Sequence, residues 1–200
     1  MIVGWKYRTT FENAHDSFDK IAKFQKEAGA DWVNTSITTG ADNGSFITVV
    51  GFENMQAYGK MDDMWNAPNS KMDEMMASNL SKSEGVETYS MNMLVGNIEG
   101  DQPTTVFANW IFECDDQQAV IDSHELDWKY YKEGGCTGIN IHTMNGGDYA
   151  SNGKYMFVAR FNSMEELGGC MDHMWGKSDY MKSTAEYHSK IKIIKNFNAR

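Results

Sequence analysis

From residue 2 to residue 8 the chain runs Ile-Val-Gly-Trp-Lys-Tyr-Arg, aromatic-rich and alternating in the two-residue rhythm of a half-buried strand. Residues 13–28 change to helical spacing: Ala14, Phe18, Ile21, Ala22 and Phe24 make one apolar stripe, and Gly29 is placed to end it. Two further strands follow over 31–39 and 45–52, joined by Gly-Ala-Asp-Asn-Gly, a hairpin turn. Residues 54–66 are predicted helical, Pro68 blocks continuation, a second short helix covers 69–79, and 86–95 alternates again as a fourth strand.

The same order then returns. Strand, helix, strand, strand, helix, helix and strand are predicted over 104–112, 116–133, 137–144, 154–161, 163–175, 177–187 and 189–197. The residues themselves repeat. Met61-Asp-Asp-Met-Trp65 recurs as Met171-Asp-His-Met-Trp175 at an offset of 110, and Lys26-Glu-Ala-Gly29 as Lys132-Glu-Gly-Gly135 at 106. Trp5 pairs with Trp110 at 105, and Phe52 and Met55 pair with Phe161 and Met164 at 109. Such order points to internal duplication, with one βαββαβ unit over 1–97, a loop-like linker around 96–103, and a second unit over 104–200.

A βαββαβ unit is the ferredoxin-like split motif, an antiparallel sheet with helices on one face. Its other face is apolar and needs a cover. The expected fold class is therefore α+β, with two tandem units whose sheets close on each other as an intramolecular, pseudo-dimeric α/β barrel. At this level the chain resembles the dimeric α/β-barrel superfamily, including antibiotic-biosynthesis monooxygenase-like, stress-responsive barrel and haem-degrading monooxygenase-like proteins. The resemblance implies a pocket between each sheet and its helices. It spans cofactor-free oxygenases, cyclases, isomerases and haem enzymes, so it narrows the chemistry little.

Composition trims the partners. The net charge is −10, spread over both halves, and no basic cluster occurs, which disfavours nucleic acid and anionic membrane surfaces. No run of 18 apolar residues and no signal-peptide pattern at the start are seen, so a cytoplasmic location is expected. Cys114, Cys136 and Cys170 read as reduced structural thiols. A monomer with pseudo-twofold symmetry, or a homodimer, satisfies the barrel.

Comparison of the copies locates candidate chemistry. Ser36 aligns with His142, Asp63 with His173, Gly51 with Arg160 and Gly4 with Asn109, so the second copy gains two imidazoles, a guanidinium and an amide. His142 and His173 are the candidate catalytic acid and base if both enter one pocket. Asn109, Asn140 and Arg160 are candidates to orient a ligand oxygen, with Trp110, Asp172 and Trp175 as further ligand-binding positions. The parity of Ile139-Asn-Ile-His-Thr143 groups His142 with Asn140 and Met144, away from Ile139 and Ile141. Fifteen methionines, including Met164, Met171, Met174 and Met181, suit an adaptable apolar pocket or plain core more than soft copper ligation.

The expected function is binding of a small apolar or aromatic molecule in the second copy, with cofactor-independent oxygenase-, cyclase- or isomerase-type chemistry. The alternatives are a non-catalytic binding or assembly module, and haem binding or degradation. For haem, the resemblance implies an axial histidine on the second helix, matched by His173, and an asparagine on the first strand, matched by Asn109. The tryptophan expected on the third strand is missing from Lys154–Phe161. No metal set shows ligand spacing, and no cofactor is called for in the leading reading.

Overall fold

The structure, a computed structural model, describes residues 1–41, 43–68, 82–99 and 106–200. The first repeat contains β1 (Ile2–Arg8), α1 (Phe11–Glu27), β2 (Trp32–Gly40), β3 (Phe46–Gly51), α2 (Met55–Asn66) and β4 (Glu84–Ile98). The second contains β5 (Val106–Glu113), α3 (Gln117–Glu133), β6 (Gly138–Gly147), β7 (Lys154–Phe161), α4 (Met164–Gly176), α5 (Ser178–His188) and β8 (Lys192–Ala199). The helix expected over 69–79, with Met72, Met75 and Met76, lies outside the described residues, as do residues 100–103 of the linker, whose start is instead the end of β4.

Helix boundaries follow local chemistry that the repeats share. Thr10 accepts from the Asn13 amide at the start of α1, and Asp116 does the same for Ala119 at α3. Beyond the ends of these helices Gly29 and Gly135 take φ of 105° and 91°, a left-handed turn that side chains resist. Asn54 and Ser163 cap α2 and α4 through Ala57 and Glu166, and Glu166 reaches back to the Asn162 amide.

The eight strands of the described residues form one closed antiparallel barrel in the order β1-β3-β2-β8-β5-β7-β6-β4. Each repeat contributes a four-stranded sheet, ordered 4-1-3-2 and 8-5-7-6, and two seams join them. One seam is long: β4 pairs with β6 from Tyr89–Gly147 to Ile98–Gly138. The other is short: β2 meets β8 only at Thr38–Ala199, Thr39–Asn198 and Gly40–Phe197, with Ile37 and Arg200 exchanging backbone bonds beyond them.

Strand alternation divides the side chains between two environments. On the helix-covered face of the second sheet, Ala108, Phe112, Ile139, Ile141, Phe157 and Phe161 pack against Val120, Leu167, Cys170 and Met174. Inside the barrel, Ile47, Tyr89, Met91, Ile111, Met144, Met156, Val158 and Phe197 form a separate core. Side chains of this size are each stabilised by roughly 1.5–3 kcal/mol on burial. One end of the interior is ionic. Lys6, its side chain wholly buried, gives Glu87 a bond of 2.8 Å and lies 3.9 Å from the Phe197 ring centre. Glu87 also accepts from Lys195 at 2.7 Å and from Tyr149 at 2.6 Å, tying β1, β4, β8 and the β6–β7 connection together. Burial alone would raise the Glu87 carboxyl, but the bonds from Lys195, Lys6 and Tyr149 outweigh it and hold the group at about 2.

The three cysteines are free and buried. Burial pushes the Cys170 thiol up to about 12 and raises that of Cys136, which makes both inert at neutral pH. No helix among the described residues is long and apolar enough to cross a membrane.

Candidate functional site

The alternation of β5, β6 and β7 splits the residues singled out from the sequence. Asn109, Asn140, His142 and Arg160 share the parity of Ile111, Met144, Met156 and Val158 and therefore face the barrel interior. His142 keeps company with Asn140 and Met144, as the alternation requires. Trp110 takes the opposite parity and faces the helices, where Trp175 also lies. His173 is on α4, outside the barrel, with Nε2 3.8 Å from Glu133, and Asp172 beside it is exposed. The sheet thus stands between His142 and His173, and their expected pairing as acid and base is not realised. A strand pattern distinguishes two faces but does not say which of them a given helix covers.

The same separation bears on haem. Asn109 donates to the carbonyls of Phe107 and Phe197, at 3.2 and 3.3 Å, on the interior side, while His173 is paired with Glu133 outside. These two residues do not flank one pocket, so the arrangement implied by the haem-degrading resemblance does not fit.

A cavity of about 360 Å³ lies between the sheet and the helices of the second repeat. Trp110, Phe157, Met171, Met174 and Trp175 supply apolar wall. One wall is polar. Asp127, on the buried stripe of α3, accepts from the Tyr180 hydroxyl of α5 at 3.0 Å, and its side chain is only 8% exposed. His188, where α5 ends, places Nε2 3.7 Å from the same carboxylate and packs edge-on against Tyr180. Burial, then the nearby Asp127 charge, drives the Tyr180 phenol well above its ordinary range. Tyr131, in the same wall, is raised mainly by burial. Both phenols therefore keep their protons near neutral pH, and that of Tyr180 goes to Asp127.

Asp127, Tyr180 and His188 are absent from the sequence-based candidate set, although a signal existed. At the offset of 106 that aligns α1 with α3, Asp127 corresponds to Ile21, so a carboxylate occupies an apolar-stripe position. The buried stripe of α3 also carries Ser123 and His124. Burial lowers the His124 imidazole below its ordinary value.

Inside the barrel, a cavity of about 80 Å³ is lined from both repeats, with Asn34, Ser36 and Tyr89 opposite Asn109, His142 and Arg160. His142 is 3% exposed, and its Nδ1 is buried with no hydrogen-bond partner. Burial, the Arg160 charge and the N-terminal ammonium together hold its imidazole down at about 4. The Asn140 amide oxygen accepts from Arg160 Nη2 at 2.8 Å and Nε at 3.3 Å.

No protein-family model and no curated protein sequence matches the chain. Solved structures do. An anthrone oxidase-like protein superposes with a TM-score of 0.57 at 7% identity, covering 100% of this chain and 91% of the other. A candidate monooxygenase from Lactobacillus acidophilus gives 0.55 at 14% identity, with 99% and 91% covered. A haem-degrading enzyme from Listeria monocytogenes gives 0.50 at 10% identity, with 100% and 99% covered. With both halves in one polypeptide, this chain shares the α/β-barrel fold of these proteins.

Proposed function

We propose that the protein binds a small aromatic molecule in the 360 Å³ cavity of the second repeat and moves a proton on it, in the manner of cofactor-independent oxygenases, cyclases or isomerases. The observation that carries this reading is the Asp127 carboxylate. It sits in an otherwise Met- and aromatic-lined wall, held by Tyr180 and within ion-pair reach of His188. Apolar sites with a few convergent polar groups are the usual form of small-molecule sites. Methionine rims adapt to ring shape, and Trp110 and Phe157 offer faces and edges for stacking.

The chemistry follows from the order of the groups. A ligand O–H or acidic C–H proton passes to His188 Nδ1. The imidazolium so formed is stabilised by Asp127 through Nε2, and the Tyr180 hydroxyl keeps that carboxylate oriented. The electron-rich ligand anion is the species that can cyclise, isomerise or reduce dioxygen directly. The fold neighbours include an anthrone oxidase-like protein and a candidate monooxygenase, which is consistent with that class.

The test uses 2-naphthol and naphthalene as probes, followed by tryptophan quenching and by naphtholate absorbance. Saturable binding of both is expected, with an absorbance change for 2-naphthol that Asp127→Asn reduces at least tenfold. Met171→Trp, which fills the cavity, should weaken both ligands. Binding that does not saturate, or that is indifferent to Met171→Trp, refutes the assignment.

A further inference from the structure

We propose that the barrel interior holds a second, separate site, for a small planar monoanion of the size of formate or nitrate, bound between Arg160 and His142. The outer cavity plays no part in it, because the second sheet stands between them.

The interior cavity of about 80 Å³ is several times larger than the roughly 10–15 Å³ that one water needs, and too small for an aromatic ring system. Its polar wall is asymmetric in charge. Arg160 brings a guanidinium, His142 an imidazole, and Asn34, Ser36 and Asn109 neutral groups; among the described residues no Asp or Glu lines it. The hydrogen-bond partner found for Arg160 is the neutral Asn140 amide, and among the described residues no carboxylate lies within ion-pair distance of it. A cation held partly out of water without a counter-charge is costly, and a planar anion matches the guanidinium fork. The His142 Nδ1 supplies the second independent sign. It is a buried polar atom with no protein partner, on a ring that lines this cavity. Protonated, or as the Nδ1–H tautomer, it donates to an anion that Arg160 already holds.

The repeats show why only one such site is built. The position equivalent to Arg160 is Gly51, and any side chain added there would run into the Trp32 ring. The position equivalent to Asn109 is Gly4, covered in the same way by Tyr89. In the first repeat, aromatic rings occupy the space that the second repeat gives to donors.

The experiment titrates uniformly 15N-labelled full-length protein with sodium formate and sodium nitrate at constant ionic strength made up with sodium sulfate. It follows the His142 ring nitrogens and the Arg160 Nε–H signal. Saturable shifts at both residues, with His173 and His188 unmoved, are expected. Arg160→Met should abolish saturation. Should that variant fail to fold, Ser36→Val, which narrows the cavity from the first repeat, should weaken formate at least tenfold while leaving 2-naphthol binding unchanged. Linear, non-saturating shifts overturn the proposal, as does saturation that survives both Arg160→Met and Ser36→Val. Loss of naphthol binding elsewhere would count against the outer site alone.

Discussion

Replacing His142 by asparagine should make the protein less sensitive to acid. An imidazole in water titrates near 6.5, and burial beside Arg160 holds this one at about 4. Between those values the unfolded chain binds a proton that the folded protein refuses, so stability falls as pH drops from 6.5 towards 4. Above 6.5 the ring is neutral in both states and the contribution is fully present. At about pH 4.5 the unfolded state gains about 2 to 3 kcal/mol, since each unit of displacement corresponds to about 1.4 kcal/mol and the native ring is still mostly neutral. Urea unfolding of the wild type and His142→Asn at about pH 7.5 and about pH 4.5 isolates this share, because every other titrating group is common to both proteins. The wild type should lose about 2 to 3 kcal/mol more than the variant on acidification. Arg160→Met, by removing one of the two positive neighbours, should shrink that excess. A gap between wild type and variant that does not change with pH would refute the reasoning, because His142 would then titrate alike in both states.

Other perturbations probe other parts of the molecule. Glu87→Gln removes the buried carboxylate charge that Lys6 and Lys195 both meet and should cost about 3 kcal/mol, read from urea midpoints at neutral pH. The Glu87 share of stability is present above about pH 4.5 and lost as pH falls towards 2, below the His142 window; Glu87→Gln should flatten that lower limb in acid titrations followed by circular dichroism. Tyr180→Phe removes the donor to Asp127 and should cost roughly 1–3 kcal/mol, seen as a lower melting temperature. Gly147→Ala forces a side chain into φ of 74° and against the Thr88 backbone, and should loosen the long seam by roughly 1–3 kcal/mol, with faster amide exchange at Tyr89 and Ser90 as the signature.

The two-unit plan was legible because both units place their capping residues and helix-ending glycines at matching points, and each of those is set by neighbours in sequence. The parity of His142 was legible for the same reason. The destination of that parity was not. Asn140 and His142 are polar and Ile139 and Ile141 apolar, yet the polar face turns inwards, because the interior carries Arg160, Lys6 and Glu87 as well as methionines. That placement depends on pairings between the repeats, such as Met93 with His142, which local patterns do not encode. The Asp127–Tyr180 bond spans 53 residues and is likewise a product of helix packing. Its trace in the sequence was the exchange of Ile21 for Asp127 between the two aligned helices.

The unequal seams give the barrel a spine and a fore-edge. β4 and β6 are laced along the whole length of the spine, whereas β2 and β8 are held by a few rungs at one end. A fluctuation that parts the two sheets therefore begins at β2 and β8, where few hydrogen bonds must break together. The residues nearest that opening, Ser36 and Ala199, are walls of the interior cavity. Parting of the short seam therefore disturbs the wall of the interior cavity before it disturbs the spine.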